Sequence, residues 1–134
     1  MTGIVLAAAL VATWAATPMR AVDGDTLTAR VTVWPRQEIT LSIRIRGIDT
    51  PERRGKCAAE REAAERARAA LQAQLDAAGT VYLQHVTEDA YAGRMDARVL
   101  TPAGEDIGAA MLVAGHAVTM GSKRTKDWCK EDPK

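Results

Sequence analysis

Five side chains in three stretches have the types and spacing to act on a phosphate ester. They are Asp25 in Val22-Asp-Gly-Asp-Thr-Leu27; Arg44, Asp49 and Glu52 in Arg44-Ile-Arg-Gly-Ile-Asp-Thr-Pro-Glu52; and Arg94 in Asp89-Ala-Tyr-Ala-Gly-Arg94. Hydrolysis of such an ester needs a positioned water, a base for its proton, and positive charge where the phosphoryl oxygens become more negative. Asp25 and Asp49 are hard oxygen ligands of the kind calcium takes, with a neighbouring backbone carbonyl and water molecules to complete the shell. Glu52 follows Asp49 across a Thr50-Pro51 step. The proline disfavours helix at Thr50, so this loop is held extended or turned and can aim a base. Arg44 and Arg94 each carry a planar fork that binds phosphate through paired hydrogen bonds, which a lysine does not offer. Taken singly, each feature has an ordinary explanation: Asp-Gly-Asp as a turn, Asp-Thr-Pro-Glu as a loop or helix entry, and a strand arginine as a solvated side chain.

The elements that must position these residues are legible in the surrounding pattern. Arg20 to Trp34 alternates apolar and polar residues around the Asp23-Gly24-Asp25 turn, as in a hairpin or a bulged strand. After Pro35-Arg36, the aliphatic residues Ile39, Leu41, Ile43 and Ile45 recur at every second position. That is a strand whose other face carries Arg44 and Arg46 together. Cys57 to Ala78 is rich in Ala, Glu, Arg, Leu and Gln and ends at Gly79, and the pairs Arg61/Glu65 and Glu62/Arg66 support a long exposed helix. Strands follow at Val81, Leu83 and His85 and at Arg94 to Leu100, with a turn at Asp89 to Gly93 between them and Thr101-Pro102-Ala103-Gly104 after them. Asp106 caps a second, shorter helix through Ala114, ahead of a short apolar stretch at Ala117 to Met120. Five strands with one long helix between the third and fourth and a short C-terminal helix predict a mixed α+β domain built on a small closed barrel.

The 134 residues suit one domain. A formal net charge of +1 does not by itself point to nucleic acid, although Arg44, Arg46, Arg53, Arg54 and Lys56 crowd one stretch and Lys123, Arg124 and Lys126 another. With no Phe, three Trp and two Tyr, the core must rest on Val, Ile and Leu. The alanine-rich run Ile4 to Ala16 has the length of a signal-peptide core ending in small residues. The expectation is a secreted or periplasmic protein whose single domain runs from 17 to 134, without stable membrane insertion after processing. No Lys or Arg precedes the run, so a buried first strand or an uncleaved anchor is the alternative. Cys57 and Cys129 form one disulfide if the chain is exported and are free thiols in a reducing compartment. His85 and His116 lie outside the three stretches and receive no role.

From Arg20 onward, the order and intervals of these motifs resemble the staphylococcal-nuclease-like family. The resemblance implies a five-stranded OB-fold barrel and calcium-dependent hydrolysis of DNA and RNA, preferably single-stranded, with 3′-phosphate products and a monomeric enzyme. It implies that Asp25 and Asp49 are the calcium carboxylates, Thr50 the carbonyl ligand, Glu52 the general base, and Arg44 and Arg94 the phosphate clamp. Tyr91 matches the tyrosine that contacts the terminal phosphate. The chain departs from the family in two places. The turn before Arg94 is one residue longer than the usual Asp-x-Tyr-Gly-Arg, which leaves Arg94 open to displacement. Val118-Thr119-Met120-Gly121 lacks the tyrosine that can stack on a base. Two other readings stay open: a non-catalytic OB module that binds single-stranded nucleic acid or a protein, and an envelope-associated domain that binds calcium for stability.

Overall fold

The computed structural model describes residues 10–91, 93–121 and 127–130. The chain begins with a hairpin, β1 (Thr13–Asp23) and β2 (Thr26–Trp34), closed by Gly24 and Asp25, and continues through Pro35-Arg36 into β3 (Gln37–Ile45). The β2–β3 register sets Leu27 opposite Ile43 and Thr26 opposite Arg44. The alternation therefore sends Leu27, Ala29, Val31, Ile43 and Ile45 into the interior. Ile39, near the hairpin turn, is instead exposed, so the aliphatic face of β3 is buried only along its second half.

Irregularities in β1 between Pro18 and Arg20 and between Ala21 and Asp23 bend the strand, and β1 reaches two neighbours, β2 and β5 (Val81–Glu88). Antiparallel pairing of β5 with β6 (Arg94–Leu100) and parallel pairing of β6 with β3 complete a closed barrel in the order β1-β2-β3-β6-β5. Closure leaves none of the five strands as a free sheet edge. A separate two-stranded sheet pairs β4 (Ile48–Asp49) with β7 (Val118–Thr119).

The long helix α1 (Ala58–Ala78) falls between the third and fourth barrel strands, as the pattern predicts. The Cys57 sulfur accepts the Glu60 N–H at its start, and Gly79 at φ +70° ends it. It buries Ala64, Ala67, Leu71 and Leu75 along one stripe. On its exposed side Glu65 pairs with Arg68 rather than Arg61, whose guanidinium turns to the Gly55 carbonyl. The short helix α2 (Ile107–Val113), capped by Asp106, buries Ile107 and Met111. The largest fully buried side chains are Leu, Ile, Val and Met, with no aromatic among them.

One sequence expectation is corrected here. The boundary drawn after residue 16 falls inside β1: Thr13–Ala16 pair with Val81–Gln84, and Ala16 is buried in the barrel. Thr13–Ala16 therefore belong to the barrel. Local composition cannot distinguish an apolar leader from an alanine-rich barrel strand, because the partner that buries the strand comes from a distant part of the chain. Residues 1–9 of the apolar run, and the Lys123, Arg124 and Lys126 cluster, lie outside the described residues. Among the described residues, no helix is long and apolar enough to cross a membrane. Cys57 and Cys129 are joined by a disulfide across 72 residues.

Candidate active site

The β1–β2 turn brings Asp25 to its place by close packing. A Cβ on Gly24 would lie 2.6 Å from the Ala67 Cβ on α1 and 3.1 Å from the Thr50 methyl. Only glycine lets the turn approach helix and loop this closely. The turn is tied down when Ile45 N–H donates to the Asp25 carbonyl at 2.7 Å, while Thr26 Oγ1 donates to Asp25 Oδ1 at 2.9 Å. From β3, Arg44 Nη2 reaches Asp25 Oδ2 at 3.4 Å, Asp49 Oδ1 at 3.0 Å and the Ile48 carbonyl at 3.1 Å. Arg46 goes elsewhere. Lying past the end of β3, it donates to the His85 carbonyl, the Thr87 hydroxyl and the Asp96 carbonyl, bracing the bulge in β5 where His85 has φ +53°. The shared face expected for the two arginines is thus divided where the strand ends.

The loop bearing Glu52 is held by its backbone. Glu60, in the first turn of α1, accepts the N–H groups of Glu52 at 3.2 Å and Lys56 at 3.3 Å, and Arg61 donates to the Gly55 carbonyl at 3.0 Å. A Cβ on Gly55 would meet the Glu60 side chain at 2.5 Å. Glu60 lies outside the three chemistry-bearing stretches, although the sequence carries a signal for it: Cys57-x-x-Glu60 has the spacing of a helix capping box. The glutamate bonds to the preceding loop instead of to the Cys57 N–H. Glu52 itself is exposed, Thr50 is buried, and Asp23 pairs with Arg53 at 2.9 Å.

All seven residues assigned a role in catalysis, metal binding or substrate contact line one cleft of about 430 Å³: Asp25, Arg44, Asp49, Thr50, Glu52, Tyr91 and Arg94. The longer turn before β6 does not carry Arg94 out of it. The turn closes with Asp89 N–H donating to the Arg94 carbonyl at 3.0 Å and with Gly93 at φ +82°. The Arg94 fork is held by both oxygens of Asp89, at 2.9 and 3.1 Å, and lies over the Tyr91 ring at 4.8 Å.

Beneath this arrangement Asp96 stands opposite Arg44 in the β3–β6 register, and its buried Oδ1 has no hydrogen-bond partner. Burial, a hydrogen bond with Asp89 and the charge of Asp89 together push the Asp96 carboxyl above the usual range. Asp89 is moved the other way, chiefly by its bond to Arg94, then by those to Asp96 and to the Tyr91 N–H. A carboxyl raised on folding stabilises the fold below its unfolded pKa, about 3.9 for Asp, and that contribution is lost as pH rises through the folded value. Asp96 therefore costs stability towards neutral pH. We expect Asp96→Asn, which can still donate to Asp89, to melt higher than wild type near neutrality. Thermal melts across acidic pH should show the difference shrinking as Asp96 of the wild type takes up its proton; a difference constant with pH would contradict this account.

Among the described residues, no three His, Cys, Asp or Glu side chains cluster closely enough to hold a metal on side chains alone. Asp25 and Asp49 nonetheless each present an oxygen to one point, the Arg44 Nη2, so a positive charge is already accommodated between them. Two carboxylates beside open cleft fit a hard divalent cation such as calcium, which accepts carbonyls and water. They do not fit zinc, which takes three or four protein ligands, most of them nitrogen or sulfur.

A closed five-stranded barrel of this topology, with a cleft of interleaved carboxylates and guanidiniums on its wall, defines an OB-fold module of the kind that engages nucleic acid. Residues 42–132 match the family described as staphylococcal nuclease homologue, more than half of the 134 residues, and the chain belongs to that family. No curated protein matches the sequence. The family match starts within β3, so Asp25 lies ahead of it and joins the site by geometry.

Proposed function

We propose that this cleft is the catalytic centre of a calcium-dependent nuclease that hydrolyses phosphodiesters of single-stranded DNA and RNA. The observation that carries the reading is the convergence of Asp25, Arg44, Asp49, Glu52 and Arg94, from separate segments, on one cleft. Asp25, Asp49 and the Thr50 carbonyl would hold calcium, whose charge, when bound, offsets the negative charge that accumulates on the phosphoryl oxygens. Glu52 takes a proton from a water whose oxygen bonds to phosphorus in line with the departing 5′ oxygen. The bond from phosphorus to that oxygen breaks, the 5′ oxygen gains a proton from solvent, and the phosphate stays on the 3′ side. Arg44 and Arg94 donate to the equatorial oxygens, most strongly when their charge is greatest. For Arg94, Asp89 and the Tyr91 face pre-set the guanidinium so that less motion is lost on binding. Tyr91, exposed at the rim, contacts the terminal phosphate. The disulfide suits an oxidising compartment, secreted or periplasmic, and the enzyme acts as a monomer.

The test is hydrolysis of heat-denatured DNA by the purified protein in calcium and in chelator. Cleavage should appear in calcium and stop in chelator, with 3′-phosphate ends on the products. No cleavage by folded protein in calcium would leave a nucleic-acid-binding module in place of the enzyme.

A further inference from the structure

The cleft continues onto the outer face of the barrel wall, where strand pairing places its arginines in line with two others. Register sets Arg94 of β6 beside Ser42 of β3, Ser42 beside Thr28 of β2, and Thr28 beside Arg20 of β1. Leu27 and Ile43, the next residues along β2 and β3, point inward, so this row faces outward. One row further from the cleft, on the same face, Arg30 of β2 lies beside Thr40 of β3. Three strand spacings of about 4.8 Å set Arg20 about 14 Å from Arg94 along the curved sheet. Arg20 and Arg30 are exposed, and neither has a hydrogen-bond or ion-pair partner among the described residues. The chain holds 18 basic and 17 acidic residues, yet this face of β1, β2 and β3 carries no carboxylate between Asp23, which pairs with Arg53, and Glu38 near the β2–β3 turn.

A polynucleotide is a chain of regularly spaced anions, and a run of cations with hydrogen-bond donors among them holds it without regard to sequence. Here two guanidiniums supply the charge, while Thr28, Thr40 and Ser42 supply hydroxyls of the kind that bond to phosphate oxygens. Because neither guanidinium is engaged within the protein, pairing with phosphate breaks no internal contact. We propose that this face is a track along which a single-stranded polynucleotide runs on from the cleft, Arg20 and Arg30 pairing with phosphates beyond the scissile one. The track begins at Arg94, the residue that also meets the scissile phosphate, so cleft and track form one path. The proposal rests on reading the cleft as the phosphodiester site. It adds a property that the cleft alone does not confer, an affinity that grows with the length of the oligonucleotide.

Binding of two fluorescent oligothymidylates by the oxidised full chain, followed by anisotropy in chelator, tests this without requiring cleavage. Their lengths, about 4 and about 16 nucleotides, bracket the site sizes of single barrels of this kind. Wild type should bind the longer one more tightly. The double variant Arg20→Gln with Arg30→Gln should bind the longer one about 2- to 25-fold more weakly, the range for two exposed ion pairs, and the shorter one as wild type does. For the longer one, the slope of log Kd against log salt should become shallower by about 1.4, about 0.7 for each phosphate no longer paired. Both arginines are exposed, so the variant should melt with wild type. Arg66→Gln, which removes a charge from the exposed side of α1, should change neither affinity nor slope. Wild-type affinity and slope in the double variant overturn the track. So does an equal loss for both lengths, or a loss in Arg66→Gln that matches that of Arg30→Gln alone. Cleavage in calcium is scored separately. A wild type that binds through Arg20 and Arg30 but does not cut keeps the track and loses the nuclease reading; one that cuts with no dependence of affinity on them keeps the nuclease and loses the track; one that neither cuts nor binds loses both.

Discussion

Glu52→Gln should lower the calcium-dependent cleavage rate by about 10²- to 10⁴-fold, the range for losing a general base. The substitution keeps the length and shape of the side chain and removes only its ability to accept a proton from water. The fold gives no reason for a second effect. The side chain is exposed, and the loop is held by Glu60 through the N–H groups of residues 52 and 56, so the position of residue 52 does not depend on its own carboxylate. The loss should accordingly fall on kcat, with KM and melting temperature near those of wild type. A variant that retains wild-type kcat would remove Glu52 from the base role. One that melted early would show that the carboxylate supports the loop after all.

Arg44→Met should have two effects of different origin. In chelator the variant should be less stable by about 3 kcal/mol, the low end for a charge pair that loses one partner. The low end applies because only Asp25 is well buried: its side chain is 12% exposed and that of Asp49 45%. Without the guanidinium, the two carboxylates face each other with nothing between them. Calcium should then raise the melting temperature more in Arg44→Met than in wild type, because it no longer competes with Nη2 for the same oxygens. Cleavage should nevertheless fall by about 10²- to 10³-fold, the loss associated with removing one donor to a developing oxyanion. Melting curves with and without calcium, together with rates, separate the two. Equal stabilisation of both proteins by calcium would argue against a cation site at Asp25 and Asp49. Arg44→Lys should recover more of the stability than of the rate, since it restores charge without the fork.

The sequence by itself determined what depends on near neighbours. The period-two pattern of β2 and β3, the Asp23-Gly24-Asp25 turn, the helix between Cys57 and Gly79 and the cap at Asp106 are all set within a few residues, where side-chain alternation and turn chemistry act. The candidate site was legible for the same reason: its carboxylates and arginines lie in short motifs whose order could be compared with a family. Tertiary structure decided what depends on distant pairing. Whether Thr13–Ala16 form a strand depends on Val81–Gln84 meeting them, which only barrel closure brings about. The separate destinations of Arg44 and Arg46, two residues apart, follow from where β3 stops and which strands pass beside it. The same holds for the buried oxygen of Asp96, the hold of Glu60 on the Glu52 loop, and the placing of Trp128 beside that loop by a disulfide across 72 residues. Each is a contact between segments far apart in sequence, and no local pattern encodes which partner the closed barrel will put within reach.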